Sequence, residues 1–231
     1  VSVAKGIEIE SLKRPSELIE QALGRKRNPV AVLSGPNIAA ELARYQPAGA
    51  VVACDDADLA RRVQSAMSTQ WFRVYTNSDS IGVELAGALK NVIALAAGMG
   101  DGLRAGNNAK AALVTRGLVE ITRLGVAMGA RHETFMGLAG LGDLITTCTS
   151  PESRNRRVGE QLGKGRRIDD ITSEMSSVAE GVPTARAVRR LSRERLVEMP
   201  ICEQVHQVLF EQKDVLSALS DLMTRELKSE V

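Results

Sequence analysis

Residues 85–100 read LAGALKNVIALAAGMG, and this stretch decides the fold. Only Lys90 and Asn91 interrupt an otherwise apolar run, which reads as a helix buried in a helical body. Burying an unpaired ammonium costs free energy, and desolvation lowers a lysine pKa toward values useful for proton transfer at neutral pH. Lys90 is therefore a candidate catalytic acid/base, the alternative being a lysine that snorkels to solvent or pairs with a distant carboxylate. The run falls short of the roughly 20 residues that span a bilayer and carries a charge, so no membrane span is expected.

Outward from this run, the sequence divides near Asn77. After it, helical patterns cover 80–97, 107–128, 138–147, 151–162, 184–193, 201–211 and 215–227, with glycine-rich joints at 98–106 and 163–165. Before it, short apolar runs at 1–4, 30–33, 50–54 and 72–75 alternate with helical spacing at 15–23, 38–44 and 57–67, the signature of a parallel sheet with crossover helices. Pro15 in a first turn and Asp55 or Asp56 near a cap agree with those helices. The fold class is α/β plus all-α: a small sheet layer in residues 1–77 and a larger helical part in 78–231. The chain opens directly on VSVAKG, which reads as a buried strand entered midway, so an N-terminal part of the parent protein is expected to be missing.

With 30 basic and 28 acidic side chains in 231 residues, the formal charge of +2 gives no field that would favour nucleic acid or an anionic membrane. Cys54, Cys148 and Cys202 are widely separated and lack CxxC spacing, which fits a reducing cytoplasm rather than a disulfide framework or a zinc site. His132 and His206 stand alone and receive no role, and no metal is expected. The basic stretches at 163–167 and 186–195 read as solvated faces, since aromatic residues total only 3% and none interleaves with them.

Three segments fall where chemistry collects in an open sheet, beyond the carboxyl ends of strands and at helix N-termini. Lys5-Gly6 follows the first strand. Ser34-Gly35-Pro36-Asn37 follows the second; Gly35 permits close backbone approach and Asn37 can cap the next helix, although an ordinary strand-to-helix turn reads equally well. The third, GLAGLGDLITTCTSPESRNRR at 137–157, holds a second isolated charge, Asp143, followed by Thr146 and Thr147. Ser150-Pro151-Glu152 reads as a helix start, which places Ser153, Arg154 and Asn155 near a helix N-terminus as a phosphate cradle. Arg156 and Arg157 are open to a blander reading as a solvated basic face. No GxGxxG dinucleotide fingerprint occurs in the chain.

The ordered set SVAKGIE, VLSGPNIAAE, FRVYTNSDSIGVELAGALKNVIALAAGMGDGL, FMGLAGLGDLITTCTSPESRNRRVG and VAEGVPTA resembles the bacterial NAD(P)-dependent glycerol-3-phosphate dehydrogenases over nearly the whole chain. The resemblance implies an enzyme that interconverts dihydroxyacetone phosphate and sn-glycerol 3-phosphate with NAD or NADP and so serves phospholipid synthesis. It implies the C-terminal part of a Rossmann-type parallel sheet followed by a helical substrate domain. Lys90 matches the family's proton-transferring lysine. Lys5, Gly35, Asn37, Asp143, Ser153, Arg154 and Asn155 match substrate-contacting positions, Asn37 standing where many relatives carry Ser or Thr. Ala39, Arg154, Val178 and Glu180 match positions facing the cofactor, and Asn91 and Thr147 are expected to support the site. Relatives begin with a strand, a GxGxxG turn and a helix that have no counterpart here, so the isolated chain is expected to bind cofactor poorly and turn over slowly. A cytoplasmic homodimer is the expected form. The competing readings are another Rossmann-plus-helical β-hydroxyacid-type dehydrogenase, against which the SRNRR cradle argues, and a non-catalytic helical binding module.

Overall fold

The computed structural model describes residues 1–24, 29–175, 178–227 and 229–230. Its first third contains α1 (Pro15–Ala22), β1 (Val32–Ser34), α2 (Ala39–Leu42), β2 (Ala48–Ala53), α3 (Ala57–Met67) and β3 (Phe72–Asn77). The strands form one sheet in the order β1-β2-β3. β2 and β3 pair in parallel, from Ala48 opposite Phe72 to Ala53 opposite Asn77. The eleven-residue α3 makes the crossover between them, capped by Asp56, whose carboxylate accepts from the amides of Asp58 and Leu59. β1 instead runs antiparallel to β2, because α2 is a single turn, too short to lie along the sheet as a crossover. The parallel α/β plan thus holds for β2 and β3, while the β1–β2 pair makes the sheet mixed.

The first segment contributes less than a strand. Ser2 makes an isolated parallel bridge to Val32, donating its amide to the Ala31 carbonyl and accepting from Leu33, and Val1 and Val3 are exposed. Its apolar composition had promised burial, but pairing depends on neighbours that a local pattern does not reveal.

The sheet buries both faces. On one, Ala31, Leu33, Ala50, Val52 and Val74 pack against Ala60 and Val63 of α3. On the other, Val32, Val51 and Ala53 meet Val83 and Ala139. Val83 belongs to α4 (Ser80–Gly102), the helix around which the rest is built. Every residue of α4 from 82 to 95 is buried. The helix is capped by Asp79, which accepts from the Gly82 amide at 2.8 Å and also from the Arg131 amide and the Thr134 hydroxyl. By length and mean hydropathy α4 could cross a membrane, which corrects the expectation that no segment is long enough: the helix runs from Ser80 to Gly102, beyond the apolar run on both sides and through Glu84 and Asp101. In the fold it is a core helix, 89% of its most apolar window being covered by protein.

Around it lie α5 (Gly106–Ala127), α6 (His132–Phe135), a π-helical turn (Leu138–Gly142), α7 (Asp143–Thr149), α8 (Arg154–Gly163), α9 (Ile168–Ser173), α10 (Gly181–Glu194), α11 (Pro200–Phe210) and α12 (Val215–Met223). The glycine-rich 98–106 stretch is not a joint through most of its length. Gly98 and Gly102 lie inside α4 and face α8 so closely that a Cβ on Gly98 would stand 2.0 Å from the Arg156 carbonyl oxygen, and one on Gly159 equally close to that of Leu95. Glycine here serves backbone-to-backbone packing of two helices, and the chain turns only at Leu103–Ala105.

Candidate active site

Between the carboxyl end of β1 and the helices α4, α7 and α8 opens a cleft of about 540 Å³. Lys5 and the Asn37–Ala40 segment form one wall; Lys90, Asn91, Asp143 and Thr147 form the floor; Ser153, Arg154, Asn155 and Glu180 close the other side.

Asp143 organises the floor. It is the first residue of α7, where a carboxylate meets the positive end of the helix dipole, and it is 2% exposed. The π turn before it, placed on the backbone of Phe135 at Gly140, sets the direction from which Asp143 enters; the sequence had read π turn and α7 as one helix. Asp143 Oδ1 accepts from Lys90 Nζ at 2.5 Å and Oδ2 from Lys5 Nζ at 2.6 Å. Two ammonium groups therefore share one carboxylate. Lys90 Nζ also donates to Thr147 Oγ1 at 2.6 Å, and Thr147 in turn donates to the Asp143 carbonyl at 2.6 Å, one helical turn back. Two of the three Lys90 N–H groups are thus committed, and one remains.

Burial is the main force on the Lys90 pKa, lowering it from 10.5 to about 8; the Lys5 charge adds to this, and Asp143 opposes it. The isolated lysine of the apolar helix is neither snorkelling nor unpaired. It is a buried cation next to a cleft, held by a carboxylate and a hydroxyl.

Helices α4, α8 and α10 are joined through amides. Asn155 donates to Asn91 Oδ1 at 3.0 Å and accepts from the Gly181 amide at 2.8 Å, while Asn91 donates to Glu180 Oε2 at 3.4 Å. Asn155 keeps a single N–H for a ligand. Ser153, not Ser150, caps α8, its hydroxyl accepting from the Arg156 amide at 3.3 Å; Pro151 and Glu152 lie in the preceding turn, so the helix starts three residues later than its Pro signal indicated. Arg154 is exposed at the cleft, and among the described residues its guanidinium has no hydrogen-bond or ion-pair partner.

Three further expectations change in detail. Gly35 (φ +152°) does not line the cleft: a Cβ there would lie 2.8 Å from both Ala50 Cα and the Gly49 oxygen, so glycine is needed for the passage of β2, while the Gly35 carbonyl accepts from Lys5 at 3.3 Å. Asn37 does not cap α2, whose N-cap is Ile38; its buried Oδ1 has no partner and belongs to the cleft wall. Val178 is exposed and outside the cleft lining. Ala39 and Glu180 both line it. The residues fit a nicotinamide in shape: Ala39 and Ala40 leave a cleft wall without bulk. Among the described residues no group of three or more His, Cys, Asp or Glu side chains could hold a metal ion.

Besides the α4 cap Asp79, two buried carboxylates escaped the sequence reading. Glu84 of α4 accepts from the Arg14 guanidinium at 2.6 Å and from the Ser16 amide and hydroxyl, anchoring the start of α1 and so the far end of the loop that presents Lys5 to the cleft. Glu120 of α5 accepts from the amides of Ile201 and Cys202. For Glu84 the available signal was the same one that exposed Lys90, a charge inside an apolar helical stretch; Glu120 stands between Arg116 and Arg123 and gave no such signal.

Comparison with known proteins agrees with this geometry. The profile described as NAD-dependent glycerol-3-phosphate dehydrogenase N-terminus matches residues 1–60, and the profile for the C-terminus of the same family matches residues 79–220. The chain is 54% identical, over its full length, to a glycerol-3-phosphate dehydrogenase, NAD(P)+, of Syntrophotalea carbinolica, and 53% identical to that of Chlorobium limicola, covering 70% of each. Among solved structures it is similar to the glycerol-3-phosphate dehydrogenase of Coxiella burnetii, with TM-score 0.92 and 40% identity over 96% of this chain and 68% of that one.

Proposed function

The chain belongs to the NAD-dependent glycerol-3-phosphate dehydrogenase family, and from that premise we propose that it interconverts dihydroxyacetone phosphate and sn-glycerol 3-phosphate with NAD or NADP. Residues 1–77 form the cofactor side and 78–231 the substrate side. The observation that carries the reading is Lys90: a buried ammonium with a free N–H, beside a cleft whose opposite wall presents an unpaired guanidinium.

The phosphate binds Arg154, supported by the Ser153 and Asn155 end of α8, and this remote contact orients the carbonyl toward Lys90. A bound nicotinamide supplies the hydride for reduction. As the carbonyl carbon gains the hydride, its oxygen gains charge, and Lys90 Nζ donates the proton that completes the hydroxyl. Asp143 and Thr147 hold Nζ in place during the transfer, and the neutral amine left behind accepts the hydroxyl proton in the reverse direction. A lysine near pKa 8 serves both directions at neutral pH.

The same reading takes the protein as a cytoplasmic homodimer serving phospholipid synthesis. Three buried free cysteines support the reducing compartment, and exposed apolar side chains on α5 (Val119, Val126) and α12 (Leu216, Met223) support an apolar contact between copies.

The test is steady-state oxidation of NADH and NADPH by the intact enzyme with dihydroxyacetone phosphate. Substrate-dependent oxidation is expected, and Arg154→Ala should raise KM roughly 10- to 100-fold, the worth of a charge-assisted phosphate contact. Absence of turnover with this ketone in the unmodified intact enzyme would refute the reading.

A further inference from the structure

Arg156 and Arg157 are the basic residues of SRNRR that the site leaves unused, and Arg156 is the half-buried one. Its side chain is not a solvated face: it is 17% exposed and turned away from the cleft, with Nε 2.7 Å from Asp101 Oδ2. Asp101 lies in the last turn of α4, where the helix dipole disfavours a carboxylate, so it requires cations. It has two: Arg156 of α8, and Lys110 of α5, whose Nζ is 2.6 Å from Oδ1. A second contact of Arg156, to Glu160 one turn along α8, is longer at 3.7 Å.

The neighbour Asn155 bonds Asn91, ten residues earlier on α4 and so about 15 Å away along the helix axis. Adjacent residues of α8 are therefore tied to α4 at two distant levels. Between those levels the Arg156 carbonyl rests on Gly98 with no room for a methyl group. Two attachments and one close contact fix both the rotation and the axial position of the first turn of α8. Arg154, whose guanidinium has no tie of its own among the described residues, inherits its direction from that turn.

We propose that Arg156, through Asp101 and Lys110, is a positioning residue for phosphate recognition: it locks the first turn of α8 onto α4 and so aims Arg154 into the cleft. This rests on the dehydrogenase reading above. Without the tie, the turn pivots about Asn155 and the guanidinium loses its register with the phosphate, while Lys90 and its partners on α4 and α7 stay in place.

The test compares Arg156→Met, Asp101→Asn and Arg156→Lys in the intact enzyme, with dihydroxyacetone phosphate and with dihydroxyacetone, which lacks the phosphate. The first two should lower kcat/KM for the phosphorylated ketone about tenfold, chiefly through KM, and leave the unphosphorylated ketone unchanged. They should also weaken inhibition by inorganic phosphate by a similar factor, and Arg156→Lys, which can keep the ion pair, should recover most of the loss. Equal losses on both ketones, or no change with either variant, would overturn the proposal. Asp101→Asn preserves side-chain shape, and inhibition by phosphate can be read from its residual turnover should Arg156→Met not fold. Failure of the unmodified enzyme to use the phosphorylated ketone would instead strike the dehydrogenase reading itself.

Discussion

Lys90 on α4 and Glu120 on α5 are both buried charges on adjacent helices, and they are held in opposite ways. Lys90 is bound by side chains, a carboxylate shared with Lys5 and a hydroxyl, and it borders a cleft with one donor to spare. Glu120 is bound by backbone: its oxygens accept from Ile201 at 2.8 Å and Cys202 at 3.3 Å, capping α11, whose own N-cap Met199 offers no side-chain bond. Burial drives both pKa values toward the neutral form, Lys90 down to about 8 and Glu120 up to about 7. Burial and a displaced pKa therefore do not separate a reacting group from a structural one. Access to a cleft and unused bonding capacity do.

The largest expected effect tests the Lys90 side of this contrast. Lys90→Met keeps the apolar stem and removes the proton donor, so kcat should fall by about 10²–10⁴ with KM little changed. The fold should survive, because Asp143 retains Lys5 as a counter-charge. Measured kcat within a few-fold of the unmodified enzyme would make Lys90 another Glu120, a buried charge without chemistry.

On the Glu120 side the expected effect is on stability. A carboxyl whose folded pKa lies above its unfolded value of about 4.5 binds its proton more tightly in the native state. Stability is then greatest below pH 4.5 and falls as pH rises to about 7, by at most about 3 kcal/mol, with no further change above that. Glu120→Gln should abolish this part of the pH dependence and leave kcat unchanged. Thermal unfolding followed between pH 5 and 8 decides it: the same slope in both proteins would mean that Glu120 is not the titrating group.

Local patterns disclosed what is local. The outline of α3 and α5 and the isolation of Lys90 and Asp143 were legible because helical periodicity and a charge in apolar surroundings need no partner to be seen. What failed depended on contact across the fold. Residues 1–4 had the composition of a strand and make only a bridge. The glycines at 98 and 102 read as a break because their purpose, the approach of α8 at Arg156 and Glu160, lies 58 residues on. Asn155 lines the cleft as its place beside Arg154 suggests, but that most of its amide joins α4 to α10 could not be read locally. The pairing of Lys5 with Lys90 through one carboxylate could be guessed from the family resemblance but not from spacing, since Lys5 and Asp143 are 138 residues apart.

The smallest expected effect sharpens the comparison most, because it asks whether the Lys90 environment works as its contacts say. Reduction needs the protonated amine, so kcat/KM for dihydroxyacetone phosphate should be level below pH 8 and decline tenfold per pH unit above it; oxidation of glycerol 3-phosphate needs the neutral amine and should rise tenfold per pH unit up to about pH 8 and level off above it. After burial, the charge of Lys5 is the next cause of the lowered value. Lys5→Met removes it and frees Asp143 to serve Lys90 alone, so both effects push the Lys90 pKa upward and the midpoint of the profile should move to higher pH. A midpoint that stays put, or moves down, would mean that Lys5 does not act on Lys90 through space, and that the shared carboxylate is an arrangement for binding the phosphate rather than for tuning the proton donor.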